Sequence, residues 1–379
     1  MNFTSKGRRV SNPMKKRRWT KKKTIIALAG LVFAIAAAFG GYSAYGAYRL
    51  NQLSKMTFMD MLAYTTRDNP EAVITVGVIQ NGEMNYTVYG ENGAELPPEE
   101  HIYEIGSITK TFTTSLLSKA VGEGRASFDD PVDRYLELSQ KAYYPTLRRL
   151  VTHTAGYKEQ YLEKPMISNF LRGRNFFYGV SGDMLLKRLE KINLEDADYA
   201  FAYSNFGIAA AGAVLEKIYG SDYSTLINTY VTGELGLAST RITDGSGDLE
   251  GYWDWSAADA FMPAGALQSN ITDMLKYLAL QMGEERDYFA LAHGALAQVQ
   301  SEPGANERMG IRIDAVGAGW IIDREHNITW HNGATGHFNS YIGFDKENQI
   351  GVVILSNLSP DDRIPATVMG VELLTSLQE

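Results

Sequence analysis

The chain has 379 residues, 45% of them hydrophobic and 11% aromatic, which excludes a disordered or collagen-like protein and leaves ample material for a large buried core. Its formal net charge of −8 hides an asymmetry: residues 1–50 hold eleven Lys or Arg and no acid, so the remainder sets 25 basic against 44 acidic residues, or −19. A body that acidic is repelled by phosphate backbones, which argues against a nucleic-acid partner, and the absence of Cys excludes a disulfide framework, a lipid-modified cysteine and a thiol nucleophile.

The first predicted element covers 24–48 (TIIALAGLVFAIAAAFGGYSAYGAY), a run without charge. About 20 residues suffice for a helix to cross the hydrocarbon core. Lys15, Lys16, Arg17, Arg18, Lys21, Lys22 and Lys23 adjoin its N-terminal side, and the positive-inside bias sends the C-terminal body outward. The expected organisation is a basic cytoplasmic tail over 1–23, a transmembrane helix or uncleaved signal anchor over 24–48, a short linker over 49–54, and one extracytoplasmic domain over 55–379. Ala44-Tyr45-Gly46 also has the small-residue spacing of a signal-peptidase site, so a cleaved signal is the competing reading.

After an apolar-periodic stretch around Met56, Met59 and Leu62, the segments Ala72–Ile79 and Met84–Tyr89 flank Asn81-Gly82, a two-residue hairpin signal. From Ser107 to about Gln300 the periodicity is mostly helical, as in Ile108–Val121, Ile208–Tyr219 and Thr272–Gln281. Strand patterns return at Gly319–Asp323, Asn327–His331, Ser340–Asp345 and Ile350–Asn357, before a last apolar-periodic stretch, Ile364–Leu377. Strands from the two ends must therefore meet in one sheet, with a mostly helical region inserted between them.

Three segments carry candidate chemistry. No HExxH, phosphate loop or GxSxG elbow is present, whereas Ser107-Ile108-Thr109-Lys110 is the one SxxK of the chain. It sits where a helix begins, above the stripe Ile108, Phe112, Leu116 and Val121, and the i to i+3 spacing places Lys110 beside the Ser107 hydroxyl as a base if its pKa is depressed. Tyr203-Ser204-Asn205 precedes another helix and, taken alone, is equally a buried polar pair of the core. His331-Asn332-Gly333-Ala334-Thr335-Gly336-His337 reads as the end of one strand and the start of the turn to the next, a place where backbone N–H groups face a ligand. His331 and His337 lack a third ligand cluster, so no metal is predicted, and no cofactor is implied.

In this order, Ser-x-x-Lys, Tyr-x-Asn and a basic-x-Gly triplet on a late strand resemble the serine β-lactamase and penicillin-binding protein superfamily, most closely its class C β-lactamase-like group with D-aminopeptidase, D,D-peptidase and esterase relatives. Glu104–Thr113 is similar to that group's nucleophile segment and Leu150–Tyr157 to its LLTHTSG run. The likeness spans about residues 55–375. It implies an α/β (α+β), β-lactamase/transpeptidase-like fold, with a five-stranded antiparallel sheet flanked by helices and an all-helical subdomain. It further implies Ser107 as the acyl-forming nucleophile, Lys110 as its base, Tyr203 as the proton shuttle to the leaving group and Asn205 as a substrate-holding amide. His331 takes the place of the third-motif cation, Gly333 admits the substrate strand, and the N–H groups of Ser107 and Ala334 match the oxyanion hole. His153 is expected to be structural.

The departure from the pattern is His331, where most relatives carry Lys. A weaker, pH-dependent cation there disfavours efficient β-lactam hydrolysis and favours D-amino-acid-containing peptides, amides or esters, peptidoglycan-derived ones included. The stretch from Tyr157 to Tyr199, with Phe170, Arg172, Arg174, Phe176 and Phe177, reads either as a packed surface loop or as a wall that shapes the substrate. A non-catalytic binding or sensor module and a carboxylesterase are the alternative functions.

Overall fold

The computed structural model describes residues 53, 55–299 and 309–379. The expected tail, membrane helix and most of the linker lie outside them, and no helix among the described residues is long and apolar enough to cross a membrane. The compact unit begins at Leu53.

Its centre is an antiparallel sheet whose strands come from both ends of the chain. Strands β1 (Ile74–Gln80) and β2 (Glu83–Tyr89) form the hairpin signalled by Asn81-Gly82, and both of those residues take the positive φ that a tight primed turn demands. Strands β10 (Ile328–Ala334), β11 (Asn339–Asp345) and β12 (Ile350–Ser356) form a meander, and β12 closes the sheet against β1. The sheet holds nine strands where five were expected. The five seven-residue strands form its continuous middle, β2-β1-β12-β11-β10. The additions are β3 (Glu95–Leu96) on one edge, and β9 (Ile321–Asp323), β8 (Ala315–Val316) and β7 (Ala297–Gln298) on the other. Of these, β9 falls within the strand pattern Gly319–Asp323, whereas strands of two residues are too short to leave an alternation in the sequence.

Each face of the sheet is covered. Period-two alternation sends Val353, Leu355, Ile342 and Phe344 into the larger core on the helical side, and Val352, Ile354, Tyr341 and Trp330 into a second core on the other. The second core is closed by helix α1 (Phe58–Thr65) and by a long C-terminal helix, Ala366–Gln378. That helix approaches closely because Gly370 faces the buried Tyr341: a Cβ on Gly370 would sit 2.1 Å from the Tyr341 ring. On the helical side, Gly77 and Gly351 perform the same service for the helix Ile271–Met282, whose Ile271, Leu275 and Leu278 would meet any added Cβ.

The inserted region, α2 (Thr109–Gly122) onward, is mostly helical, but it is not all-helical. Strand β6 (Leu267–Ser269) pairs on one side with β5 (Arg241–Ile242) and on the other with β4 (Tyr103–Glu104), which precedes the region, in a small second sheet. Helix α2 is buried on nearly every side, so its composition departs from an amphipathic surface helix. Its hydroxyls turn to carbonyls instead: Thr111 donates to Ile108 (2.8 Å), Thr113 to Pro263 (2.8 Å) and Thr114 to Ala318 (2.7 Å). Phe112 stacks on Tyr277 at 3.8 Å.

Replacing Gly370 with Ala raises helix propensity, yet overpacking against Tyr341 costs about 1–3 kcal/mol. Gly370→Ala is therefore expected to lower the urea midpoint at unchanged m-value, and a higher midpoint would show that this helix does not press so closely on the sheet.

Candidate active site

The nucleophile candidate stands at the junction between the small sheet and the central helix. Strand β4 leads through Ile105 into a single 3-10 turn, Gly106–Ile108, that runs directly into α2. Gly106 takes φ +48, and a Cβ there would lie 2.5 Å from the Ala334 nitrogen. Only glycine lets the segment before Ser107 approach the backbone of β10 so closely.

One helical turn on, Lys110 is fully buried, with Nζ 2.8 Å from Ser107 Oγ and 2.5 Å from the Ala264 carbonyl oxygen. Among the described residues, no carboxylate pairs with it directly. Burial drives its pKa well below the ordinary lysine range, and the nearby Glu159 carboxylate only partly opposes this. A neutral amine here donates to Ala264 and accepts the Ser107 proton, which is the geometry of a base.

Tyr203 closes the other side. Its hydroxyl is in hydrogen-bond contact with Ser107, and burial pushes its pKa up, so the phenol stays protonated. Lys110 Nζ lies 5.0 Å from the centre of its ring. The residues that follow Tyr203 cap the helix Asn205–Tyr219: Ser204 Oγ accepts from Gly207 N at 2.9 Å, and Ser204 N donates to His153 Nδ1 at 3.1 Å. His153, expected to be structural, is thereby fixed with its ring 4.7 Å from that of Tyr203, as a support for it. Asn205 starts the helix, and its amide donates to Glu159 Oε1 at 3.4 Å.

The third motif requires two corrections. It is not a strand end: β10 continues through His331 to Ala334, with Gly333 opposite Ser340, and the turn is made by the residues after Ala334. Glycine there serves close packing, since a Cβ on Gly333 would sit 2.0 Å from the Ile105 carbonyl oxygen. Nor is His331 a cation. Its side chain is buried, and burial, with Lys110 acting the same way whenever it is protonated, pushes its pKa down to about 3 although its contact with the Asn332 carbonyl opposes this. Nδ1 lies 2.6 Å from that carbonyl and so carries the proton, leaving Nε2 a buried acceptor without a partner. The ring lies 6.3 Å from that of Tyr203.

Strand β9 pairs with β10 only from Ile328 to Trp330. From His331 to Ala334, that edge of β10 faces the Gly106–Ser107 segment instead, and Ser340 Oγ donates to the Ile105 carbonyl at 2.9 Å to hold the two together. The structure thus brings Ser107, Lys110, Tyr203, His331, Gly333 and Ala334 around one point. Asn205 sits at its rim through Glu159, which the sequence alone does not reveal because an isolated Glu in a loop carries no pattern. The Ala264 carbonyl is equally invisible there, being a backbone atom 154 positions from Lys110. Of the aromatic and Arg-rich stretch, Phe177 is packed on Phe261 at 4.6 Å, whereas Phe170, Arg172 and Phe176 line a groove with Trp253 and His337. The packed reading therefore applies to Phe177, while Phe170, Arg172 and Phe176 stand on an open groove.

A family model described as Beta-lactamase matches residues 65–369. A protein described as Beta-lactamase from Pseudomonas fluorescens is 25% identical over 337 residues, covering 76% of this chain and 88% of that one. Protein flp from Staphylococcus aureus is 22% identical over 281 residues, covering 68% of this chain and 53% of flp, so the chain spans about half of its length. Among solved structures, the octameric penicillin-binding protein homologue from Pyrococcus abyssi superposes with a TM-score of 0.65 at 21% identity, over 90% of this chain and 77% of that one. A D-stereospecific amidohydrolase from Streptomyces sp. gives 0.62 at 20% identity, over 86% and 96%. At such identities these two structures bear on the fold.

His331 also couples the site to stability. The unfolded chain protonates it near pH 6.5, the ordinary histidine value, while the folded chain does not until about pH 3. Between those limits the unfolded state binds the extra proton, so stability falls as pH drops through that window. The contribution of His331 to the slope approaches about 1.4 kcal/mol per pH unit. His331→Gln is expected to flatten the decline of unfolding free energy between pH 6 and 4, and parallel curves for variant and parent would contradict a buried neutral imidazole.

Proposed function

This chain belongs to the beta-lactamase family, a family of serine hydrolases, and from that premise we propose that it is a membrane-anchored, extracytoplasmic hydrolase. It acts through an acyl-enzyme on Ser107, on D-amino-acid-containing peptides, amides or esters. The observation that carries this reading is the buried Lys110 amine, 2.8 Å from Ser107 Oγ and with no direct counter-ion.

In the proposed mechanism, neutral Lys110 takes the Ser107 proton as Oγ bonds to the substrate carbonyl carbon, and the oxyanion meets the N–H groups of Ser107 and Ala334. Tyr203, protonated, donates its hydroxyl proton to the leaving group and regains one from Lys110, so the C–N or C–O bond breaks without releasing a strong base. Water then attacks the acyl-enzyme, and Ser107 is regenerated. Asn205 holds the substrate, and Gly333 leaves room for it along β10.

The substrate class is argued from charge. A neutral His331 offers a substrate carboxylate no cation, which supports amides and esters over β-lactams and over peptides anchored by a terminal carboxylate. The groove bearing Phe170, Phe176 and Trp253 supports an apolar or aromatic substituent on the substrate. Anchoring rests on the uncharged run 24–48 and the basic cluster before it.

Two outcomes test the mechanism. A fluorophosphonate is expected to add one adduct mass to the full chain, and Ser107→Ala to remove both adduct and turnover while leaving the thermal midpoint within a few degrees. An adduct that persists in the variant would place the nucleophile elsewhere. The rate kcat/KM is expected to fall on acidification as Lys110 takes up a proton, with its acidic limb well below the ordinary lysine range; a limb near pH 10 would exclude Lys110 as a neutral base.

A further inference from the structure

The pocket around Ser107 holds no lasting cation. Lys110, His153 and His331 all surround Tyr203, and burial works against the charged form of each. The carboxylate that acts on both Lys110 and Tyr203 belongs to Glu159, on the loop that follows the Thr152-His153 run. That loop is fastened to the Tyr203 segment along its backbone: Ser204 Oγ donates to the Lys158 carbonyl at 2.7 Å, and Phe206 N donates to the Glu159 carbonyl at 3.0 Å. The backbone of Glu159 is therefore fixed while its side chain remains solvent-exposed at the rim.

Among the described residues its one side-chain partner is the Asn205 amide at 3.4 Å, near the limit for a hydrogen bond, so the carboxylate retains capacity for a stronger donor. A second acceptor lies deeper, in His331 Nε2, buried without a partner. A pocket furnished with a carboxylate at its mouth and a bare acceptor within favours a ligand that brings donors and positive charge, and repels one that brings a carboxylate. The body of the protein, at −19 beyond residue 50, adds long-range attraction for a cation.

We propose that Glu159 is a specificity-determining residue of this site, which binds a positively charged amine of the substrate, so that preferred substrates carry a free amino group near the scissile carbonyl. The assignment rests on Ser107 being the hydrolytic nucleophile.

The test uses the full chain in detergent with three D-alanine p-nitroanilides: free amine, N-acetylated and N-succinylated. The free-amine compound is expected to be preferred, and Glu159→Gln to lower the kcat/KM ratio of free amine to N-acetyl about fivefold, mainly through KM. Glu159→Lys is expected to lower it further and to raise the relative rate on the succinylated compound. An unchanged ratio in Glu159→Gln, or an equal loss on all three compounds, would overturn the inference, the latter by showing that Glu159 serves the serine instead of the amine. Absence of a fluorophosphonate adduct on the parent chain would overturn the hydrolase reading itself, which separates the two failures.

Discussion

The arrangement turns on an amine that has been taken out of water and set against a serine without a direct counter-ion. Burying a lysine charge is costly enough that the neutral form takes its place, and that substitution of form is what turns an ordinary side chain into a base. Its surroundings meet that need. Helix α2, which carries Lys110 in its first turn, is enclosed on nearly every side, and its Thr hydroxyls donate to Ile108, Pro263 and Ala318, so that these hydroxyls do not draw water inward. The Ala264 carbonyl takes one of the amine's hydrogens and fixes its direction.

Neutrality then propagates. A protonated His331 beside Lys110 would compete with it for the same low-dielectric space, and a protonated His153 would do so from behind Tyr203; both are held uncharged by the burial that serves Lys110. Tyr203, enclosed by the same groups, keeps its proton for the same reason. Three basic groups and a phenol thus share one electrostatic setting, with the exposed Glu159 side chain at its rim.

Much of this is legible in the sequence, and the exceptions have physical causes. Strands of seven residues and helices with apolar periodicity leave a pattern, so the β1/β2 hairpin at Asn81-Gly82, the β10–β12 meander and the terminal helix are all anticipated within a few residues. The two-residue strands β3, β7 and β8 leave none, because two residues complete no period, whereas β9 falls within the pattern Gly319–Asp323. The juxtaposition of Ser107, Lys110 and Tyr203 is anticipated through residue type and order. What does not show is environment: the charge state of His331 depends on enclosure by residues remote in sequence. The strand seems to stop at His331 in the sequence because Asn332-Gly333 imitates a turn, whereas Gly333 is there to let the Ile105 carbonyl pass at a distance no Cβ allows.

The placement of the site depends finally on sheet register. In β10, Trp330 enters the second core and His331 points to the helical side, so a slip of one residue would bury the imidazole behind the sheet and bring the indole to Ser107. That register is held from several directions: Gly333 lies opposite Ser340, Ser340 donates to Ile105, and Asn339 donates to the Gly333 carbonyl at 3.0 Å. The same bonds therefore align the strands and seat Ser107. The catalytic geometry is thus not appended to the fold at a flexible loop; Ser107 stands where it does because the two ends of the chain meet in one sheet, and whatever shifts that pairing shifts the serine with it.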